Sequence, residues 1–296
     1  MELHEKQKWS WTLSALSCSA ALAAGEWDPI CAALLTLALG ALLILAEGAN
    51  RSAPCRPAAL ACALWSALSA GYAAALGVRA FPALPESPMI PLTLLALAWA
   101  ALRERTVVAA RVCAILGGCL LGFYALVLGF GLESVRAEDL QFWGAEPDAL
   151  ALLSMVLWAM WIPKGTGKAR RAGWVGAGVL LSFLSALVAA RAGSLYLATE
   201  SVRVFSVMER FEGLLSTAMA VGAFGLCCLA ASGGREVLRI WKNNRPLEAL
   251  FWALAVVGIG LADRIQPGHL LAGNMLFCGF LPLLTRYLGK RKKLKK

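Results

Sequence analysis

The chain is a succession of apolar runs, most of them long enough to cross a bilayer, separated by short charged breaks. A helix needs about 20 predominantly apolar residues to span the hydrocarbon core. Ten stretches approach that length: Trp9–Gly25, Pro29–Ala46, Pro57–Val78, Met89–Leu102, Thr106–Gly131, Ala149–Ile162, Ala172–Ala190, Phe205–Ser232, Leu247–Ala262 and Gly268–Tyr287. Met89–Leu102 and Ala149–Ile162 are short, and span only if their helices begin in the preceding loop. Hydrophobic residues make up 59% of the chain and charged residues 16%, with a mean hydropathy of +0.68. A soluble domain holds about 45–50% apolar and about 25% charged residues. An all-α integral membrane protein is expected. An ordinary soluble enzyme, a disulfide-framed secreted domain and a disordered tail are excluded.

Charge placement tests the number of spans, because cytoplasmic loops collect Lys and Arg. With a cytoplasmic N-terminus and ten spans, 21 of the 28 basic residues fall in inside segments and 5 in outside segments. Arg111 and Arg210 lie within spans. A wrong count would scramble this bias, so both termini are expected inside a cell membrane. The formal net charge of +10 is then mostly topology. The basic residues are spread over six inside segments without interleaved aromatics, which does not fit nucleic acid. The tail at 289–296 carries Lys290-Arg-Lys-Lys-Leu-Lys-Lys296 and is read as an anchor to anionic lipid head groups of the bilayer. The first run also resembles a cleavable signal peptide, with Lys6 and Lys8 ahead of it and Ala21-Leu-Ala23 at its end. Trp9, Trp11 and five Ser/Thr residues dilute its apolar core, which favours retention.

Most catalytic motifs fail. The nine cysteines form no CxxC pair and mostly lie inside spans, which indicates neither a disulfide framework nor a zinc site. The two histidines, His4 and His269, lie at opposite ends of the chain. Gly165-Thr-Gly-Lys168 lacks the first glycine and the Ser/Thr of a phosphate loop. Asn50-Arg-Ser52 matches a glycosylation sequon but falls on the inside. Gly118 and Gly122 form a GxxxG, read as a helix-packing signal. No paired acids, Ser–His pair or metal ligands lie deep in a span, so neither an enzyme nor a cofactor is expected.

Three features remain. Phe81 to Pro91 carries a proline at nearly every third position and leads into the fourth span, as a stiff connector would. Ala24-Gly-Glu-Trp-Asp-Pro29 is a polar reversal between the first two spans. Glu209-Arg-Phe-Glu212 opens the eighth span, where ionisable groups are costly unless they face a bundle interior or snorkel to the surface.

Together these residues resemble the spore-germination permease family, the membrane-embedded B subunit of germinant receptors. That family lies within the amino acid/polyamine/organocation transporter superfamily. Gly25-Glu-Trp-Asp28 is similar to its turn after the first helix, and Leu84-Pro-Glu-Ser-Pro88 to its element before the fourth. Arg210-Phe-Glu212 matches its Arg-x-Glu at the eighth helix, and Arg111 its arginine early in the fifth. The resemblance implies one transmembrane domain over 1–296 with a leucine-transporter-type 5+5 inverted repeat, 9–131 against 149–288. The first helix is shortened relative to that family, with no glycine before Gly25.

The resemblance further implies a permease-like protein for amino acids or similar small metabolites, transporting or sensing them. Spans one and six would form the pocket, because discontinuous helices there expose unpaired backbone groups. Ser14, Ser17, Cys18, Gly25 and Ser154 are the candidate substrate contacts. Glu209, Arg210 and Glu212 are the candidate gate or coupling residues. The alternative is a non-transporting membrane subunit that keeps the fold for assembly with other receptor subunits.

Overall fold

In a computed structural model, the structure describes residues 3–23, 27–47, 56–79, 87–104, 106–132, 146–162, 165–166, 170–192, 211–241, 245–281 and 284. Ten helical segments follow one another in the order of the ten apolar runs: α1 (Glu5–Leu22), α2 (Pro29–Glu47), α3 (Arg56–Arg79), α4 (Met89–Glu104), α5 (Thr106–Gly131), α6 (Pro147–Ser154, continuing as a 3₁₀ helix over Met155–Trp161), α7 (Arg171–Ala192), α8 (Phe211–Trp241), α9 (Arg245–Leu261) and α10 (Pro267–Asn274, continuing as a π-helix over Met275–Phe280). The sole extended pairing among the described residues is an isolated bridge between His4 and Thr166. Among the described residues, three stretches are long and apolar enough to cross a membrane, Pro57–Val78, Arg171–Ala190 and Ser216–Arg239, and several helices are shorter and apolar. The whole is compatible with a membrane bundle.

The most polar helix is among the most enclosed. α1 carries Glu5, Lys8, Thr12, Ser14, Ser17 and Ser19, all buried. In lipid such groups must be satisfied inside the protein. Thr12, Ser17 and Ser19 donate to the carbonyls of Lys8, Leu13 and Ala15 one turn back. α1 packs against α5, α6, α7 and α8, so apolar helices stand between it and the surroundings. Large apolar side chains face outward instead, among them Leu45, Ile115, Leu180 and Phe280.

Small residues let other helices touch backbone to backbone. A Cβ on Gly71 would meet the Ala255 carbonyl oxygen at 2.0 Å, and one on Gly258 the Leu68 oxygen at 2.8 Å. This crossing of α3 and α9 therefore admits only glycine at its centre. The GxxxG reading is corrected at Gly118 and Gly122. Among the described residues nothing lies within 4 Å of a Cβ at either position, whereas a Cβ on Gly117 would meet Ser14 Cβ at 2.4 Å. A helix turns 100° per residue, so the neighbouring glycine, one step round, makes the contact.

Helix α8 corrects another boundary. Gly233-Gly234 and the charges after them read as the end of a span, yet the helix runs on to Trp241. Its last turns are held by ion pairs at the bundle end. Arg235 pairs with Glu248 of α9 at 2.6 Å and donates to the Leu102 carbonyl at the end of α4. Glu236 accepts from Thr106 of α5 at 2.7 Å and from Arg239 at 2.9 Å. At the N-terminus of α1, Glu5 accepts from the Gly165 N–H at 2.7 Å and lies 3.5 Å from Arg171. Lys8 donates to the Ile162 carbonyl at 3.4 Å. The start of α1 thus lies beside the end of α6, and the two helices run in opposite directions.

Candidate functional site

Helix α6 keeps α-helical geometry for only eight residues and changes to 3₁₀ geometry at Met155. A 3₁₀ helix rises about 2.0 Å per residue against about 1.5 Å for an α-helix. The segment Pro147–Trp161 therefore reaches about 26 Å rather than about 22 Å. This lengthens a span that is short by residue count. All seven 3₁₀ residues are buried. Helix α10 changes in the other sense, to π geometry, at Met275. Both kinds of irregularity shift backbone hydrogen bonds and cluster at functional sites.

One side chain ties the two changes together. Asn274, with no exposed surface, is the last α-helical residue of α10. Its Nδ2 donates to Ser154 Oγ at 3.0 Å, and Ser154 is the last α-helical residue of α6. Its Oδ1 accepts from Trp65 Nε1 at 3.1 Å and from Ser69 Oγ at 3.3 Å, both on α3. Ser154 Oγ passes its own proton to the Ala151 carbonyl at 2.7 Å. Lower down, Trp161 Nε1 donates to the Phe277 carbonyl within the π segment at 3.3 Å. The buried indole nitrogen of Trp158 has no partner among the described residues. The arrangement is a polar junction of α3, α6 and α10, built from neutral hydrogen-bonding groups. Such groups suit a polar or zwitterionic small molecule by exchange of hydrogen bonds.

The candidate residues on α1 occupy a different interface. Trp11, Ser14 and Cys18 share one face. Trp11 Nε1 donates to the Gly225 carbonyl of α8 at 3.0 Å, and Cys18 Sγ–H points at the Met219 carbonyl at 3.7 Å. Ser14 wedges against Gly117 of α5, with its Oγ 4.0 Å from where a Cβ on Gly225 would lie. Ser17 is occupied by the Leu13 carbonyl at 2.8 Å. The structure therefore brings Ser14 and Cys18 together and sets Ser154 with Asn274 instead. Gly25, Glu209 and Arg210 lie outside the described residues, and of Glu212 only the backbone, in the first turn of α8, is described. Asn274, Ser69 and Trp65 were not among the residues the sequence singled out. The available signal was Asn274, a lone amide within an otherwise apolar run.

Between α1, α2, α6 and α7 lies a cavity of about 20 Å³, lined by Thr12, Thr36, Gly40, Val156 and Trp174 among others. It has room for one water molecule. α1 itself is continuous from Glu5 to Leu22. No group of three or more His, Cys, Asp or Glu among the described residues could hold a metal ion. No protein-family model matches the chain, and no curated protein matches it.

Proposed function

We propose that the protein is a permease-like cell-membrane protein for amino acids or similar small metabolites, transporting or sensing them, with both termini cytoplasmic and the α6–α10 junction as its ligand-responsive element. The single observation that carries this reading is the buried Ser154–Asn274 hydrogen bond joining two helix irregularities. Mid-helix changes to 3₁₀ or π geometry frequently mark functional sites, and inverted-repeat transporters build their substrate sites at irregular helices.

The helix contacts support a 5+5 repeat. α1 against α5 answers α6 against α10, α1 against α7 answers α2 against α6, and α3 against α9 answers α4 against α8. α1 meets α6, α2 meets α7 and α3 meets α8, each its own counterpart. An odd number of spans per repeat inverts the second copy, in keeping with the opposed directions of α1 and α6. The correspondence is incomplete: α8 packs on α1 and on the 3₁₀ turn of α6 beyond anything α3 returns, and the α3–α4 and α4–α5 contacts have no comparable α8–α9 and α9–α10 counterparts among the described residues. Membership of the spore-germination permease family belongs to this proposal, on the order of the sequence elements quoted above.

A second reading has its own support. Among the described residues, α1 is unbroken and the cavity between α1, α2, α6 and α7 is only about 20 Å³, too small for a substrate. This favours a non-transporting subunit of a membrane receptor complex. The purified protein should be heated with a panel of amino acids. A ligand at a hundred times its Kd stabilises by about 2.7 kcal/mol, and uptake into vesicles then separates transport from sensing. No stabilisation by any amino acid, with no uptake, leaves the subunit reading and overturns the permease.

A further inference from the structure

At the end of the bundle opposite the Arg235–Glu248 pair, the last turns of α3, the first turn of α4 and the turn after α9 surround an open hollow of about 500 Å³. That volume lies within the roughly 300–1,000 Å³ range of small-molecule sites. Its walls are mixed, with Leu76, Val78, Pro88, Pro91 and Ile259 on the apolar side and Tyr72, Ser87 and Asp263 among the polar groups. Asp263 is the charged group on the hollow among the described residues, and it has no ion-pair partner among them.

The neighbouring polar groups are already engaged. Ser87 Oγ accepts from the Met89 N–H at 3.3 Å, and the Ile90 and Leu92 N–H groups donate to the Ser87 and Pro88 carbonyls. Pro88 and Pro91 carry no N–H to offer. The Met89, Ile90 and Leu92 N–H groups are therefore not free to take a carboxylate or phosphate; the Ser87 hydroxyl keeps its own proton as a donor, and the Asp263 carboxylate is the charged anchoring group among the described residues.

We propose that this hollow binds an organic ammonium, a protonated amine on a compact apolar body, with the amine on Asp263 and the body against the prolines and aliphatic walls. The same chemistry is carried by a free amine in the medium and by the ethanolamine head group of a surrounding lipid. The site is separate from the α6–α10 junction and does not rest on the permease reading.

The test uses the full-length protein in phosphatidylglycerol nanodiscs, titrated with phenethylammonium. Saturable binding is expected, with phenylacetate, the same body of opposite charge, failing to bind. Asp263→Asn should weaken binding about tenfold or more, as for a hydrogen bond to a charged group. Gly260→Leu should abolish it by filling the hollow. Gly260 lines the space, and a Cβ there meets nothing within 4 Å among the described residues, so the fold tolerates the change. Phosphatidylethanolamine added to the nanodiscs displaces the probe in an Asp263-dependent way if the head group is the natural occupant, and leaves binding unchanged if a free amine is. The proposal is overturned by absence of saturable binding, by equal binding of phenylacetate, or by parental affinity in both variants.

Discussion

Two helix pairs of the bundle, α1 with α5 and α6 with α10, are built on opposite principles. The first is regular and close. α1 is unbroken, its hydroxyls return to their own backbone, and Ser14 sits against Gly117 with no room for another atom. The second is irregular and polar, with 3₁₀ and π segments meeting through Ser154 and Asn274. A close small-residue contact fixes two helices in one position. A pair joined by hydrogen bonds between irregular segments can exchange those bonds for others at modest net cost, since each is worth about 1 kcal/mol. In the proposed reading the first pair is the fixed frame, and the second is where a ligand acts.

The largest expected effect is on the frame. Gly117→Leu should prevent close approach of α1 and α5 and cost about 3 kcal/mol, at the upper end for overpacking, measured as loss of folded protein and of Tm. Gly118→Leu and Gly122→Leu, on the open face of the same helix, should fold as the parent does. Equal damage from all three would break the distinction between the two faces.

The next effect is on the junction. Asn274→Leu removes three hydrogen bonds and strands the Trp65 indole, leaving Ser69 and Ser154 with fewer partners. A loss of about 2–3 kcal/mol is expected, the cost of leaving buried polar groups unpaired. Ser154→Ala strands a single Nδ2 proton of Asn274 and should cost about 1 kcal/mol. Cys18→Ala, at the α1–α8 interface, should cost less than Ser154→Ala and leave any ligand response intact. A Cys18 variant that abolishes the ligand response while Ser154→Ala does not would move the site to α1.

The contrast between these pairs was only half legible in the sequence. Helix positions followed from hydropathy and charge, because a lipid-facing span cannot tolerate charges and its loops must carry them. The end of α8 was not legible. Gly233-Gly234-Arg235 has the local signature of a stop, and the helix continues because Glu248 and the Leu102 carbonyl receive Arg235 from distant parts of the chain. The 3₁₀ turn was not legible either. Met155-Val-Leu-Trp-Ala-Met-Trp161 contains no glycine or proline, so its geometry comes from tertiary packing. Ser154 is a candidate from its position in the sixth run, whereas its partner Asn274 carries only the signal of a single amide in the tenth. Glu209 and Arg210, central to the family resemblance, lie outside the described residues and leave the gate proposal to be tested directly.

The smallest expected effect is at the bundle end. Arg239→Ala breaks an exposed pair with Glu236 and should change stability by less than about 1 kcal/mol, with Arg235→Ala costing more because its side chain is largely buried and ties α8 to both α4 and α9. Equal effects would show that the α8 extension is not held by Arg235.

The central claim, that the irregular pair and not α1 is the responsive element, is tested most directly by hydrogen exchange on the protein in lipid nanodiscs. The amides of 155–161 and 275–280 should exchange faster than those of 12–18 in α1, although 155–161 is as fully buried as 12–18. Exchange in α1 as fast as in those two segments, or faster, would contradict the account.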